Sequence, residues 1–328
     1  RSMRRWRWRG GRAFSRGASD GRGGVEGAVM ERGDHRAFLA ALPAGVRAGL
    51  VATADGPGLR RAGGHLGAIA GLGALIAAGV PGWWLLLLPQ GVLVVFLFTA
   101  LHEASHRTPF ATRWMNDALA ALAGFLLLIP PEWFRAYHFA HHRFTQDPLR
   151  DPELASPKPA TRAALLWHCT GLSTWAGAIR VLLRNAARGA PEDFVPPRLA
   201  GRMRAEARAM LALYAALAGV SVAAGSAVLV WVWLVPALLG QPFLRVYLLA
   251  EHGRCAFVAD MFANTRTTFT SRLVRWLAWN MPYHAEHHAF PAVPFHRLPA
   301  LHALARGHLK VTAPGYRAFA RETWKAAD

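Results

Sequence analysis

The stretch Asn-Met-Pro-Tyr-His-Ala-Glu-His-His at positions 280–288 ends in the pattern His-x-x-His-His, and a second copy, His-Phe-Ala-His-His, occupies positions 138–142. On a helix, residues i, i+3 and i+4 share one face. Each triplet is therefore predicted to aim three imidazoles at one point, and imidazole is the commonest metal ligand among side chains. The six histidines of the two triplets are His138, His141, His142, His284, His287 and His288.

Three further histidines complete the candidate site. His102 and His106 form a looser His-x-x-x-His pair, and His252 follows Glu251 at the end of an apolar run. Nine imidazoles exceed the needs of one ion, so we expect two ions with four or five nitrogens each. The remaining histidines are expected to be surface or interfacial residues, namely His35, His65, His168, His296, His302 and His308.

The composition combines 53% hydrophobic residues and 13 tryptophans with a formal net charge of +19. This combination is typical of a membrane protein with a basic cytoplasmic face. Nucleic-acid binding would also explain the charge, but not its separation from the apolar stretches. The two cysteines, Cys169 and Cys255, exclude a Cys-x-x-Cys redox or zinc module. Electrons, if needed, are expected to come from a separate protein.

Two long stretches carry no Lys, Arg, Asp or Glu, one between Arg61 and His102 and the other over residues 209–244. A single membrane span needs about 20 residues, so each stretch is long enough for two spans. We predict two transmembrane hairpins, at about residues 62–101 and about 209–247. Their turns are expected at Pro81-Gly82 and near Gly225-Ser226. In the first span, Gly67 and Gly71 are predicted to permit close helix packing.

All 38 Lys and Arg residues lie outside these two charge-free stretches. The positive-inside rule then places both termini and every histidine cluster in the cytoplasm. The predicted fold class is an all-α integral membrane protein, with four transmembrane helices in two hairpins and a cytoplasmic helical cap that carries a histidine-rich dimetal site. Residues 111–130 are predicted to form an interfacial or re-entrant helix that ends at Pro130-Pro131. Residues 163–187 are predicted to form an amphipathic stretch that lies in the plane of the lipid headgroups.

Residues 1–34 are rich in Arg and Gly and are predicted to be a basic disordered tail, followed by a single domain over residues 35–328. Binding of anionic lipid by the arginines and tryptophans of this tail is the alternative interpretation. The chain does not begin with Met, and Met30 is a plausible start, so residues 1–29 need not be native. No apolar core follows the basic start, as a secretory signal would require.

Several charged residues lie inside or beside the histidine clusters. Carboxylates near metal-bound histidines often orient the rings, and a solvated surface position is the alternative for each of them. Arg266 is a candidate to bind a substrate carboxylate or headgroup, with a purely structural role as the alternative. The candidate carboxylates are Glu103, Asp147, Asp151, Glu251 and Glu286.

Imidazole ligands suit zinc, copper and iron, so the ligand type does not decide the metal. Zinc at such a site would suit hydrolysis. The position at the root of apolar helices favours a different chemistry, because such a site can receive a hydrocarbon chain from the bilayer. A pair of irons that activates dioxygen can remove hydrogen from an unactivated C–H bond, which no amino-acid side chain does unaided.

The order of the clusters, His102/His106, positions 138–142 and then positions 284–288, set between two hairpins, resembles the membrane fatty-acid desaturase and hydroxylase family with its three histidine boxes. The resemblance covers about residues 60–310. The surroundings at 250–253, 264–268 and 279–291 look most like those of bacterial acyl-chain desaturases. One departure is Leu248, at a position where some desaturases have Asn.

This resemblance implies an oxidoreductase, an O2-dependent fatty acyl desaturase with two iron ions, in the bacterial inner membrane. Its substrate would be an acyl lipid, an acyl-CoA or an acyl carrier protein conjugate, and its electron donor a separate protein such as ferredoxin with its reductase. The implied ligands are the nine histidines named above. A hydroxylase or carotenoid ketolase on the same scaffold is the nearest alternative. A non-enzymatic membrane metal-binding protein is disfavoured because the spans lack the ionisable groups of a transport path.

Overall fold

The computed structural model describes residues 34–328, which contain sixteen α-helices and one two-stranded parallel sheet. The predicted tail lies outside the described residues except for Asp34, whose carboxylate accepts a hydrogen bond from the Ala37 amide and caps the first helix. The helices are α1 (His35–Ala41), α2 (Ala44–Leu50), α3 (Asp55–Ala77), α4 (Leu87–His106), α5 (Arg113–Leu127), α6 (Pro131–Phe144), α7 (Arg162–Thr170), α8 (Leu172–Arg188), α9 (Ala200–Ala223), α10 (Val235–Leu239), α11 (Gln241–His252), α12 (Met261–Asn264), α13 (Arg272–Leu277), α14 (His284–Ala289), α15 (Leu298–Ala305) and α16 (Tyr316–Lys325). Strand β1 (Thr267–Thr268) pairs with β2 (Thr312–Ala313).

Helices α3 and α4 form the first hairpin and pack against each other. The chain reverses at the predicted Pro81-Gly82 turn, where Gly82 has a φ of 76°, a conformation that costs glycine little. Trp83 and Trp84 follow the turn, and Trp84 is largely exposed. The tryptophans are therefore placed at the tip of the hairpin, as a membrane–water interface favours.

Two continuous helical segments of the described residues, Trp83–His106 and Pro197–Ala223, are long and apolar enough to cross a membrane. The number rises to as many as five if each bent pair of helices counts as one span. The first segment is 56% buried by protein and the second only 11%, so α4 is central and α9 peripheral. The predicted count of four lies within this range.

The third apolar stretch ends where Pro130-Pro131 was predicted to stop it. Helix α5 ends at Leu127, and α6 starts at Pro131 after a bend of 99°. Proline at the first helical position has no amide hydrogen to leave unpaired, so it favours a new helix there. Because of this bend, α6 packs against α4, the helix that carries the first histidine pair.

The amphipathic stretch at 163–187 was predicted as one segment, but the structure divides it. Helix α7 ends and α8 begins at Gly171, which has a φ of 69°. A Cβ at this glycine would lie 2.5 Å from the Gln241 side chain. The break therefore lets the chain pass close to α11.

In the second hairpin, α9 ends at a turn that contains Gly225, with a φ of 58°, as predicted from the sequence. The returning chain contains a π-helical segment at Val230–Leu234. Such a segment misaligns backbone hydrogen bonds. The Val232 carbonyl accepts a hydrogen bond from Gln90 Nε2 at 3.0 Å, so a polar side chain of α4 satisfies it.

Close packing of helices depends on glycines other than the predicted pair. A Cβ on Gly91 of α4 would lie 2.0 Å from the Pro236 carbonyl oxygen, and a Cβ on Gly240 would lie 2.4 Å from the Gly91 carbonyl oxygen. A Cβ on Gly67 or Gly71 would have no atom of the described residues within 4 Å. The small residues that join the two hairpins are therefore Gly91 and Gly240, which are 149 positions apart in the sequence.

We expect Gly91→Ala to lower the free energy of unfolding by at least about 1–3 kcal/mol, because backbone rather than a flexible side chain opposes the new methyl group. Thermal unfolding of the detergent-solubilised protein measures this loss. Gly71→Ala, on the neighbouring helix, is the matched control and should leave stability unchanged or raise it by up to about 1 kcal/mol, because alanine favours a helix more than glycine does. Equal effects of the two changes would contradict the proposed close contact.

Candidate metal centre

The nine predicted histidines meet at the ends of four helices. His102 and His106 occupy the last turns of α4, and His252 is the last residue of α11. The two triplets lie in α6 and at the start of α14. His102, His138, His141, His252, His284, His287 and His288 are each at most 5% exposed. The helix ends therefore enclose one buried cluster of imidazoles.

The cluster contains two groups with metal-binding geometry. In each group the candidate nitrogens all lie within 4.8 Å of one another. The ninth histidine, His284, joins the second group through His252, since their Nε2 atoms are 3.2 Å apart. The first group consists of His102, His106, His138, His142 and His287, and the second of His141, His252 and His288.

Each triplet is divided between the two groups, whereas the sequence pattern predicted that it would aim at a single point. His138 and His142 belong to the first group and His141 to the second. Successive residues of a helix are rotated by about 100°, so adjacent histidines point in different directions. The His142 and His288 rings, one from each group, stack with centroids 4.0 Å apart, so the groups adjoin.

The buried nitrogens are suited to a cation. Both ring nitrogens of His102, His142 and His287 have no hydrogen-bond partner among the described residues. Burial, reinforced by neighbouring histidines, lowers the pKa of His287 and His288 well below its usual value. These rings are therefore neutral at pH 7 and keep a lone pair for a metal. Buried polar atoms are rarely left unpaired, so their number here fits a metal-binding role.

Groups around the cluster fix the orientation of several rings. The Asp151 carboxylate lies 2.9 Å from His141 Nδ1, and Thr145 Oγ1 lies 3.1 Å from His288 Nδ1. Glu251 lies 3.3 Å from His284 Nδ1. Such partners set which nitrogen faces a metal. Asp151 therefore hydrogen-bonds a clustered ring, whereas Glu251 lies near His284 Nδ1 without a hydrogen bond to it, and the orienting role of both carboxylates stays a prediction.

The other candidate carboxylates contact different partners. Asp147 pairs with Arg150 on the surface, at 2.6 Å. Glu103 is buried in α4 and accepts a hydrogen bond from Thr108 Oγ1 at 2.5 Å. Glu286 is fully buried and accepts from Thr267 Oγ1, at 2.5 Å, and contacts His302. These contacts stabilise the frame around the cluster rather than orient one of its nine rings.

Arg266 has contacts that favour the structural alternative. Its Nη1 donates to the Ala250 and Gly253 carbonyl oxygens at 2.5 and 2.8 Å, and its guanidinium lies over the Phe319 ring. The side chain is buried, and its donors satisfy the C-terminal end of α11. A lipid headgroup would have to displace these bonds.

Three residues near the site were not predicted from the sequence. Glu153 Oε2 lies 3.4 Å from His141 Nε2. Although burial raises the pKa of Glu153, the nearby His141 and Lys158 outweigh this effect and lower it. His65, expected at a surface or an interface, is fully buried between the Leu93 carbonyl and Trp279 Nε1. His302, for which the same was expected, pairs with buried Glu286. Only the position of Glu153 beside the Asp151-Pro152 turn gave a sequence signal.

We expect Asp151→Asn to weaken metal binding at the second group about 10- to 100-fold, because an amide supports the His141 ring less than a carboxylate does. A chelator competition titration of the metal-loaded protein measures this change. Asp147→Asn removes the same charge four residues away, where the carboxylate pairs with Arg150, and should leave affinity unchanged. Equal losses in both variants would exclude an orienting role for Asp151.

Comparison with known proteins gives the family of this chain and several relatives. Residues 78–320 match the family model described as fatty acid desaturase. The chain is 28% identical over 231 residues to a sphingolipid delta(4)-desaturase of Drosophila melanogaster, a match that covers 66% of this chain and 64% of the relative. It is 28% identical over 224 residues to a sphingolipid delta(4)-desaturase/C4-monooxygenase of Rattus norvegicus, covering 64% of this chain and 61% of the relative.

A third relative, an sn-1 oleoyl-lipid 12-desaturase of Picosynechococcus, is 29% identical over 123 residues, or 34% of this chain and 35% of the relative. The chain thus spans less than two thirds of the length of these curated relatives. The family model, in contrast, covers most of the chain and all nine clustered histidines. The apolar helices are long enough to cross a membrane, and the match to the family model over most of the chain shows that this chain belongs to the fatty acid desaturase family.

Proposed function

We propose that this protein is an O2-dependent, di-iron fatty acyl desaturase that introduces a double bond into an acyl chain. The observation that carries the proposal is the pair of adjoining, buried imidazole groups at the ends of apolar helices, in a chain of the fatty acid desaturase family. Two cations with all-nitrogen ligands fit these groups, and iron is among the metals that imidazole suits.

The proposed iron ligands are the nine clustered histidines. Five would hold one ion, and His141, His252, His284 and His288 the other. When bound, the two irons would supply the oxidising power to remove hydrogen from an unactivated C–H bond with dioxygen. The protein's part is to fix the rings, through the hydrogen bonds of Asp151 and Thr145, and to bury the site away from bulk water.

The stoichiometry requires an external reductant. Removal of two hydrogens from the substrate supplies two of the four electrons that reduce dioxygen to two waters. The other two must come from a donor, and the chain has only Cys169 and Cys255, which are not paired as a redox module. We propose a separate electron donor such as ferredoxin with its reductase.

The substrate class follows from the family and the position of the site. The relatives are named as sphingolipid and oleoyl-lipid desaturases, which supports a lipid substrate for this chain. The cluster lies where α4 ends, and α4 belongs to the more buried of the two continuous apolar segments. An acyl chain carried by a lipid, by CoA or by an acyl carrier protein would reach it along these helices.

The proposed topology has four transmembrane helices in two hairpins, within a single domain over residues 35–328. The basic residues outside the charge-free stretches support a cytoplasmic position for the cluster and both termini. The proposed location is the bacterial inner membrane. The exposed apolar side chains of α9, including Val220 and Val222, support contact with lipid.

Hydroxylation is the second candidate, and one comparison favours it. The rat relative is named as both a desaturase and a C4-monooxygenase. The two outcomes share the first removal of hydrogen and differ in whether a second hydrogen leaves or oxygen is inserted. The histidine cluster is compatible with both, so the products must distinguish them.

We expect the purified wild-type protein to contain about two iron ions per chain and His287→Ala to lose most of the iron, because this change removes a ligand from the larger group. Elemental mass spectrometry measures the iron. His296→Ala, outside the cluster, is the matched control and should keep the wild-type content. A fully iron-loaded His287→Ala protein would refute the ligand assignment.

We expect cells that express this chain with a reductase-fed donor to accumulate acyl lipids that lack two hydrogens, and cells with His287→Ala to accumulate none. Mass spectrometry of total lipids detects the product, and fragmentation places the double bond. Lipids or carotenoids that gain oxygen would instead support the hydroxylase or ketolase alternative. Unchanged lipids and carotenoids in donor-supplied cells would contradict both.

A further inference from the structure

A cavity of about 70 Å³ lies where α4, α5, α8 and α11 meet, apart from the histidine cluster. Its wall is largely apolar, with Val95 and Phe98 from α4, Leu126 and Leu127 from α5, and Trp175 from α8. Three polar side chains, Arg245, Gln241 and Thr174, line the same cavity. The cavity therefore combines an apolar wall with a small polar end.

The polar end contains a buried cation without an anion. Arg245 is 8% exposed, and its Nη1 donates to Thr174 Oγ1 at 3.2 Å. Its Nε has no hydrogen-bond partner in the described part of the chain. Among the described residues, its titratable neighbours are His168 and Cys169, and no carboxylate forms an ion pair with it. Burial of an unpaired guanidinium is costly, so this arrangement favours an anionic ligand.

Gln241 is also incompletely satisfied. The side chain is 3% exposed, and its Nε2 donates to the Ala237 carbonyl at 3.2 Å. Its Oε1 has no partner, although it lines the same cavity as Arg245. Gly171, at the break between α7 and α8, lies directly against this side chain and fixes its position. Oε1 is thus placed to accept a hydrogen bond from a water molecule bound beside the ligand.

We propose that this cavity binds the acidic end of a lipid, with an oxyanion on Arg245 and the first part of its alkyl chain against the apolar wall. A cavity of this size receives one end of a lipid and not the whole chain. The oxyanion is a carboxylate or a phosphate, both of which match the guanidinium fork.

The position suggests what the bound lipid does. Arg245 precedes His252 by seven residues in α11, which corresponds to about 10 Å along the helix axis. An acyl chain anchored at Arg245 is long enough to extend to the histidine cluster. This part of the inference rests on the proposed desaturase function. It adds a free acid, whose oxyanion ends the acyl chain, to the carried acyl chains proposed above, and it assigns Arg245 a positioning role for that substrate.

The test measures binding and not turnover. Radiolabelled palmitate, hexadecyl phosphate and hexadecanol share an alkyl chain and differ in the head, and each is titrated against the metal-loaded full chain in a non-ionic detergent. We expect one or both acidic ligands to bind about 10- to 100-fold more tightly than hexadecanol, the range of a hydrogen bond to a charged group. Equal binding of all three would overturn the proposal.

Substitutions at Arg245 test whether this residue causes the preference for an acidic head. Arg245→Gln should abolish the preference for an acidic head, and Arg245→Lys should keep part of it, because lysine retains the charge without the fork. Arg180→Gln removes an exposed charge from α8 and is the matched control, with an unchanged preference. Full preference in Arg245→Gln would overturn the proposal. If the Arg245 variants do not fold, the binding of the three ligands to the wild-type protein still tests whether the cavity prefers an acidic head.

Two further outcomes separate the possible causes. Inorganic phosphate that binds as tightly as hexadecyl phosphate would indicate a free-anion site and overturn the lipid assignment. If the acidic lipid binds as expected but cells show no lipid product, the proposed desaturase function fails and the binding site stands. If product forms but wild type shows no preference for an acidic head, only the assignment of this cavity fails.

Discussion

The rest of the structure depends on holding nine imidazoles together, away from water and in neutral form. Buried nitrogens without partners are unfavourable, and seven of the nine rings are at most 5% exposed. The protein meets this constraint by ending α4, α6 and α11 at one place and inserting the short α14 among them. The helices orient the imidazole side chains, and a bound metal would satisfy the ring nitrogens that the described residues leave unpaired.

Close packing of the helices next to the cluster holds the histidines in position. Gly91 and Gly240 bring the two hairpins into backbone contact, so α4 and α11 approach without intervening side chains. Ahead of α14, Trp279 and Asn280 both have positive φ, at 50° and 59°. Such a conformation is unusual for tryptophan, and its ring nitrogen is held by His65 at 3.2 Å. Packing from α3 thus positions the last histidine triplet.

The buried polar side chains around the cluster have different roles. Asp151 and Glu251 contact clustered rings, whereas Glu286 and Arg266 bind elements around the cluster. Arg245 has no acidic partner within residues 34–328 and lines a largely apolar cavity instead. An unpaired buried cation is stabilised when it binds an external anion, because the anion offsets the cost of its burial. A buried cation that already has its hydrogen-bond partners gains little from such binding.

The sequence by itself determined the local features: charge-free stretches long enough for helical hairpins, the stops at Pro81-Gly82 and Pro130-Pro131, and the spacing that puts histidines on helix faces. These follow from hydropathy and helical period, which act over a few residues. Only the tertiary structure decided how the triplets divide between two groups, why Asp151 and not Asp147 contacts a ring, and that Gly91 rather than Gly67 packs closely. Each of these depends on bends and crossings that bring together residues far apart in the chain, such as His141 and His252, and no local pattern encodes those distances.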